Sequence, residues 1–154
     1  MVKSFQGVRE APVKKSNQPI LVQDFMVTNL ITFHPDDTID HVINVMTRKM
    51  ISGAPVIDSM GKLVGIISEG DCLKEIIKGQ YTNTPYFPAA VKEHMTKEVI
   101  TMSPDITIFD AADRFLSMRL RRFPVIRDGI LIGQISVSDI IRAIPKLKAS
   151  TWGK

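Results

Sequence analysis

Apolar positions along the chain form a pattern that is met twice. In the first pass an extended apolar run at residues 30–33 precedes Ile39, Val42, Ile43, Met46 and Met50, which fall at helical spacing. Two further apolar runs follow, 54–57 and 63–67, joined across Asp58, Ser59, Met60 and Gly61. Ser68 then opens a closing helix. In the second pass the runs are 99–102, a helix carrying Ile108, Ala111, Ala112, Phe115 and Met118, and the pair 123–126 and 130–135. Asp128-Gly129 between that last pair is a strong hairpin signal. Ser136 opens the second closing helix. Asp36-Asp37 and Pro104-Asp105 place carboxylates near the starts of the two earlier helices, where the helix dipole favours them.

The two passes align residue by residue. Val22 falls on Val91, Met26 on Met95, and Pro35-Asp36 on Pro104-Asp105. Thr38-Ile39 falls on Thr107-Ile108, and Pro55-Val56-Ile57 on Pro124-Val125-Ile126. One residue drops out in the turn; then Gly65 meets Gly133, Ile67-Ser68 meets Ile135-Ser136, and Asp71 meets Asp139. Chance does not produce such a run, so the chain is an internal repeat of order β-α-β-β-α, twice. That is a mixed α+β or α/β class. One unit of about 55 residues buries too little surface to be secure alone, so two copies packed with pseudo-twofold symmetry are expected. The division expected is an extension at 1–20, a first repeat at 21–78, a linker at 79–90, a second repeat at 91–145 and a basic tail at 146–154. The linker, with Gly79, Asn83, Pro85 and Pro88 beside Tyr81, Tyr86 and Phe87, reads as a loop whose aromatics pack.

Composition narrows the function classes. With 154 residues, 44% of them hydrophobic, the chain can bury a core, and no apolar run approaches the ~20 residues of a membrane span. The N-terminus has no apolar stretch suited to a signal peptide, so a cytoplasmic protein is expected. The net charge of +4 is unevenly placed: residues 1–20 carry +3 and 142–154 carry +4, which leaves −3 on the body. A basic face for nucleic acid is therefore not supported, and the tails read as solubilising. Cys72 is the single cysteine and cannot build a disulfide or a thiolate metal site alone; it reads as a small hydrophobe. His41 lies four residues after Asp37, but no third metal ligand stands at a defined spacing. Met46, Met50 and Met118 read as core-filling residues, and Trp152 lies in the basic tail. No phosphate-binding glycine loop and no nucleophile–base signature is present, which argues against an enzyme.

The closing motif of each repeat has the form G-h-h-S-x-x-D, as Gly65-Ile66-Ile67-Ser68-Glu69-Gly70-Asp71 and as Gly133-Gln134-Ile135-Ser136-Val137-Ser138-Asp139. With the β-α-β-β-α order and the Pro-Val of the second strand, the chain resembles a tandem pair of cystathionine-β-synthase (CBS) domains, a Bateman module. The resemblance covers roughly 22–144. It implies a regulatory module that binds adenine nucleotides or related adenosyl compounds in clefts between the repeats and commonly assembles as a homodimer. With no attached enzyme, channel or transporter, such a stand-alone pair would act in trans on an unknown protein target. The candidate ligands are AMP, ADP or ATP, with S-adenosylmethionine and NAD behind them; no other cofactor is implied.

The residues suit such a ligand. A carboxylate can accept hydrogen bonds from both ribose hydroxyls, which makes Asp71 and Asp139 candidate clamps. Ser68 and Ser136 stand at helix N-termini, where free N–H groups attract phosphate. Ile31-Thr32 with Ala54 and Val56, and Ile100-Thr101 with Phe123 and Val125, could line two apolar slots for the base. Basic residues before the second-strand proline often meet phosphates in this family. Arg122 is the candidate here, sharing a cleft with Asp71, and one cleft is expected to be better equipped for phosphate than the other. Helix capping by Ser68/Asp71 and Ser136/Asp139 explains the same spacing, so a ligand-free dimerisation or scaffold module is the alternative.

Overall fold

The computed structural model describes residues 19–83 and 86–152. Its elements are α1 (Val22–Phe25), α2 (Ile39–Lys49), β1 (Gly53–Ile57), β2 (Leu63–Ser68), α3 (Glu69–Thr82), a 3-10 turn at Val91–Glu93, α4 (Ile108–Met118), β3 (Arg122–Arg127), β4 (Ile130–Ser136) and α5 (Val137–Trp152). This is the mixed α/β class expected, with the helix-strand-strand-helix order occurring twice. The chain divides into two compact units. Among described residues, unit 1 is Ile31–Val99 and unit 2 is 19–30 with 100–152.

Each unit is built on an antiparallel hairpin, β1 with β2 and β3 with β4. Asp128 (φ 51°) and Gly129 (φ 79°) supply the two left-handed positions of the second turn, as the Asp-Gly signal implies. The extended runs at 30–33 and 99–102 contribute only one bridging residue each. Phe33 lies parallel to Val56, and Met102 parallel to Val125. Phe33 N–H donates to the Pro55 carbonyl (3.0 Å) and Ile57 N–H donates to the Phe33 carbonyl (2.9 Å). Met102 repeats this with Pro124 (2.9 Å) and Ile126 (3.1 Å). Lengthening either ladder would call on the N–H of residues 35 and 55, or of 104 and 124. All four are prolines, so the strand stops at one residue.

Two hydrophobic clusters fill the units. Phe33, Ile39, Val42, Val45, Met46, Ala54, Val56, Ile67, Cys72 and Val91 form the first. Val22, Met26, Met102, Ala111, Phe115, Phe123, Val125, Ile135 and Ile140 form the second. Both include residues from the segment that precedes the other repeat. In unit 1 the Ile39 N–H at the start of α2 donates to the Ala89 carbonyl (2.8 Å), and Thr96 and Ile66 exchange two backbone bonds. In unit 2 Ile108 N–H donates to the Ile20 carbonyl (3.0 Å), and Val27 exchanges two bonds with Gln134. Each unit is thus closed by the stretch leading into its counterpart.

Several local expectations are corrected. The caps of α2 and α4 are Thr38 and Thr107, whose hydroxyls accept from the N–H of His41 and Asp110 (3.1 Å each). Asp37 instead accepts from the His34 N–H in the preceding turn. Met50 is not a core residue: it ends α2 in the left-handed conformation (φ 54°) and is 91% exposed. Met118, in the last turn of α4, is also exposed, whereas Met46 is buried. The stretch 79–82, read as linker, continues α3; the helix ends at Asn83 (φ 53°), a residue that tolerates the left-handed region. The linker's Phe87 packs on the unit 1 core, while Tyr86 is exposed. Residues 146–152, read as tail, continue α5. Residues 1–18 and the side chains of Tyr81 and Trp152 lie outside what is described.

Candidate functional site

Strand β2 delivers Ser68 to the start of α3, and β4 delivers Ser136 to the start of α5. In unit 1 the Ser68 N–H and hydroxyl both donate to Asp71 Oδ2, each at 2.9 Å, and Asp71 N–H donates back to Ser68 Oγ (3.3 Å). Unit 2 has the same turn: Ser136 N–H and hydroxyl donate to Asp139 Oδ2 at 2.8 Å, and Asp139 N–H returns to Ser136 Oγ (3.2 Å). These are reciprocal capping boxes. Both carboxylates are buried at helix N-termini, where the dipole favours their charge.

Only Oδ2 is taken up by the turn. Oδ1 of Asp71 meets the Lys74 ammonium at 3.5 Å, and Oδ1 of Asp139 meets the Arg142 guanidinium at 2.9 Å. Both cations are mostly exposed, so these contacts are screened and exchangeable. Lys74 and Arg142 were missed in the sequence, although a basic residue three positions after an acid on a helix was the signal available. Chemically, each turn offers one held carboxylate oxygen and one exchangeable one beside a cation.

The other candidate residues separate into two sets. Ala54, Val56, Phe123 and Val125 are buried in the cores of their units, and Phe123 stacks on Phe115 at 4.8 Å. Thr32 is fully buried. Ile31 and Thr101 are half-buried and Ile100 is exposed. Arg122 is exposed and stands directly across the hairpin from Ser136, so it neighbours the Asp139 turn within unit 2. The equivalent partner of Ser68 is Gly53. A pairing of Arg122 with Asp71 would span the two units.

The remaining polar groups have local roles. Lys92 donates to Asp36 (3.0 Å) and holds that carboxyl below its usual range. His94 pairs with Glu75 on α3. His41 packs edge-on against Phe33 at 5.9 Å. The Cys72 thiol is pushed up to about 11, first by burial and then by the Asp71 and Glu69 carboxylates, so it stays protonated near neutrality. Among the described residues no cluster of three His, Cys, Asp or Glu could hold a metal ion, and no helix is long and apolar enough to cross a membrane.

Comparison with known proteins agrees with this geometry. CBSX2 of Arabidopsis thaliana, crystallised in complex with AMP, is 30% identical with a TM-score of 0.71, over 84% of this chain and 98% of that one. The CBS domain pair of the protein MJ0100, solved with 5′-methylthioadenosine and S-adenosyl-L-methionine, is 27% identical with a TM-score of 0.64, over 84% of this chain and 98% of that one. Inosine-5′-monophosphate dehydrogenase of Methanocaldococcus jannaschii is 35% identical over 131 residues; these cover 84% of this chain but 23% of the enzyme. The likeness to that enzyme is therefore confined to a part of it. Residues 22–78 and 91–146 each match the CBS domain, and the chain, a tandem pair of such domains, belongs to the CBS domain family.

Proposed function

We propose that the chain is a regulatory module that senses an adenine nucleotide or a related adenosyl compound, performs no chemistry of its own, and acts as a homodimer on a separate protein target. The observation that carries this reading is the duplicated Ser-Asp turn. In each, Oδ2 is pinned by Ser while Oδ1 is held only by an exposed cation. Exchanging that cation for ribose hydroxyls keeps the helix cap intact and the carboxylate paired. Two structural neighbours crystallised with adenosyl ligands support the class of ligand. Since Ala54, Val56, Phe123 and Val125 face the cores, their backbone groups are what would meet the base. Ile31, Ile100 and Thr101 are the remaining side-chain candidates for its apolar slot, and Thr32, fully buried, would offer only its backbone. Arg122 beside Ser136, against Gly53 beside Ser68, suits the second turn better to a phosphate. A ligand then regulates by population shift, stabilising the arrangement that binds it best.

Thermal unfolding with AMP, ADP, ATP, NAD or S-adenosylmethionine at about 1 mM tests this. A ligand at ~100 times its dissociation constant adds about 2.7 kcal/mol, a shift of several degrees. Asp71→Asn and Asp139→Asn keep an oxygen for the Ser cap but lose the anionic acceptor. Each is expected to remove one part of the shift, and the double variant all of it. Arg122→Ala is expected to weaken AMP but not 5′-methylthioadenosine, and combining it with each Asp variant shows which carboxylate it is coupled to. No shift with any ligand would favour the second reading, a ligand-free dimerisation module. The fully satisfied capping boxes support that alternative.

A further inference from the structure

Unit 1 holds a cavity that the Ser-Asp turn does not use. Its volume is about 520 Å³, within the range of small-molecule sites, and neither Ser68 nor Asp71 lines it. Thr38 at the start of α2 and Lys49 at its end both do, so the cavity follows the helix for about 16 Å. Ile31 and Val45 give it an apolar wall. His41, Val45, Arg48 and Lys49 are spaced to share one face of α2. The charges along this face are unevenly satisfied. At the start of the helix Asp36 holds Lys92, and Asp37 accepts from the His34 N–H. At its end Arg48 and Lys49 are exposed and make no side-chain ion pair among the described residues. Between them His41 Nε2 is closed off from solvent and has no hydrogen-bond partner, an unfavourable state for a polar atom.

The repeat itself separates what the fold needs from what the cavity presents. Ile31, Asp36 and Thr38 recur as Ile100, Asp105 and Thr107, whereas His41, Arg48 and Lys49 are replaced by Asp110, Ser117 and Met118. Helix α4 forms on the same threonine cap without these three residues, so they are not what makes the helix. A basic last turn suits the helix dipole, but α4 ends without one, and the dipole does not call for a histidine near the start. We propose that the cavity along α2 binds a small organic anion, a carboxylate or phosphate carried on an apolar body. Arg48 and Lys49 take the anionic group. Ile31 and Val45 take the body. His41 lines the cavity, and a turn of its ring about the Cβ–Cγ bond brings a ring nitrogen to a polar atom of the ligand. Asp36 and Asp37 repel the anionic end from the start of α2 and so fix the direction of binding. The site lies within unit 1 and does not rest on the nucleotide reading.

The test is two-dimensional amide NMR of the full chain, titrated with benzoate and, separately, with phenyl phosphate. The two probes share an apolar ring and differ in the anion. Saturable shifts are expected at residues 31 and 38–49, with a dissociation constant of about 1 mM or below for at least one probe. The aligned residues 100 and 107–118 are expected to stay unshifted, and the probe that binds names the anion. Arg48→Gln with Lys49→Gln should weaken binding at least tenfold and leave Tm near that of the wild type. His41→Phe keeps an aromatic ring against Phe33 and removes the unpaired nitrogen. It should hold or raise Tm while weakening binding at least threefold, whereas a purely structural histidine would lower Tm and leave binding unchanged. No saturable shift with either probe, equal shifts in both units, binding that survives the loss of both cations, or full binding by His41→Phe would overturn the proposal.

Discussion

At the scale of single residues the tightest constraint is at Gly133 and Gly65. A Cβ on Gly133 would lie 2.6 Å from the Met26 sulfur and 3.0 Å from the Val27 carbonyl; on Gly65 it would lie 2.7 Å from the Met95 sulfur and 2.9 Å from the Thr96 carbonyl. A thioether can move aside, but each carbonyl belongs to a segment bridged to the hairpin, so it cannot. Gly133→Ala is therefore expected to cost about 1–3 kcal/mol, read as a fall of several degrees in Tm, and Met26→Ala should not rescue it fully. The repeat alignment matched both glycines and both methionines, yet their contact was not legible, because it joins residues 30 or more positions apart. The Ser-Asp turns were legible in full, since a capping box is closed by residues three apart. The burial of Ala54, Val56, Phe123 and Val125 was not legible from strand alternation, because Pro55 and Pro124 between them are buried as well.

At the scale of elements, local chemistry decided most boundaries. Thr107 caps α4 through its hydroxyl, so Thr107→Ala should destabilise the protein by about 1 kcal/mol in urea unfolding, while Thr107→Ser should stay near wild type. The helices and hairpins were legible because apolar spacing and turn residues agree over each of them. The first strands were overread: a proline on each side of the one-residue pairing leaves no N–H with which to extend it. The end of α3 was underread, because Gly79 was taken as a break, whereas helix packing carries the chain to Asn83. A glycine inside a helix costs about 1 kcal/mol, a penalty that tertiary contacts readily override.

At the scale of the whole molecule, the exchange of lead-in segments ties the two units into one chain. Residues 19–30 supply Val22 and Met26 to the unit 2 core and the carbonyl that receives the Ile108 N–H. Deleting residues 1–30 should therefore harm the distant unit. By hydrogen exchange, amides of β3 and β4 should lose protection, while those of β1 and β2 largely keep it. Equal loss in both hairpins would mean that the units do not open separately.

The sequence by itself determined the duplication, the order of elements, the capping turns and the uneven placement of charge, because each rests on contacts within a few residues or on composition. Tertiary structure decided which segment closes which unit, which strand residues are buried in the cores, and that each Asp keeps one oxygen against an exposed cation. These depend on chain segments meeting across long separations, where loop closure and packing select the partner and local propensity is silent.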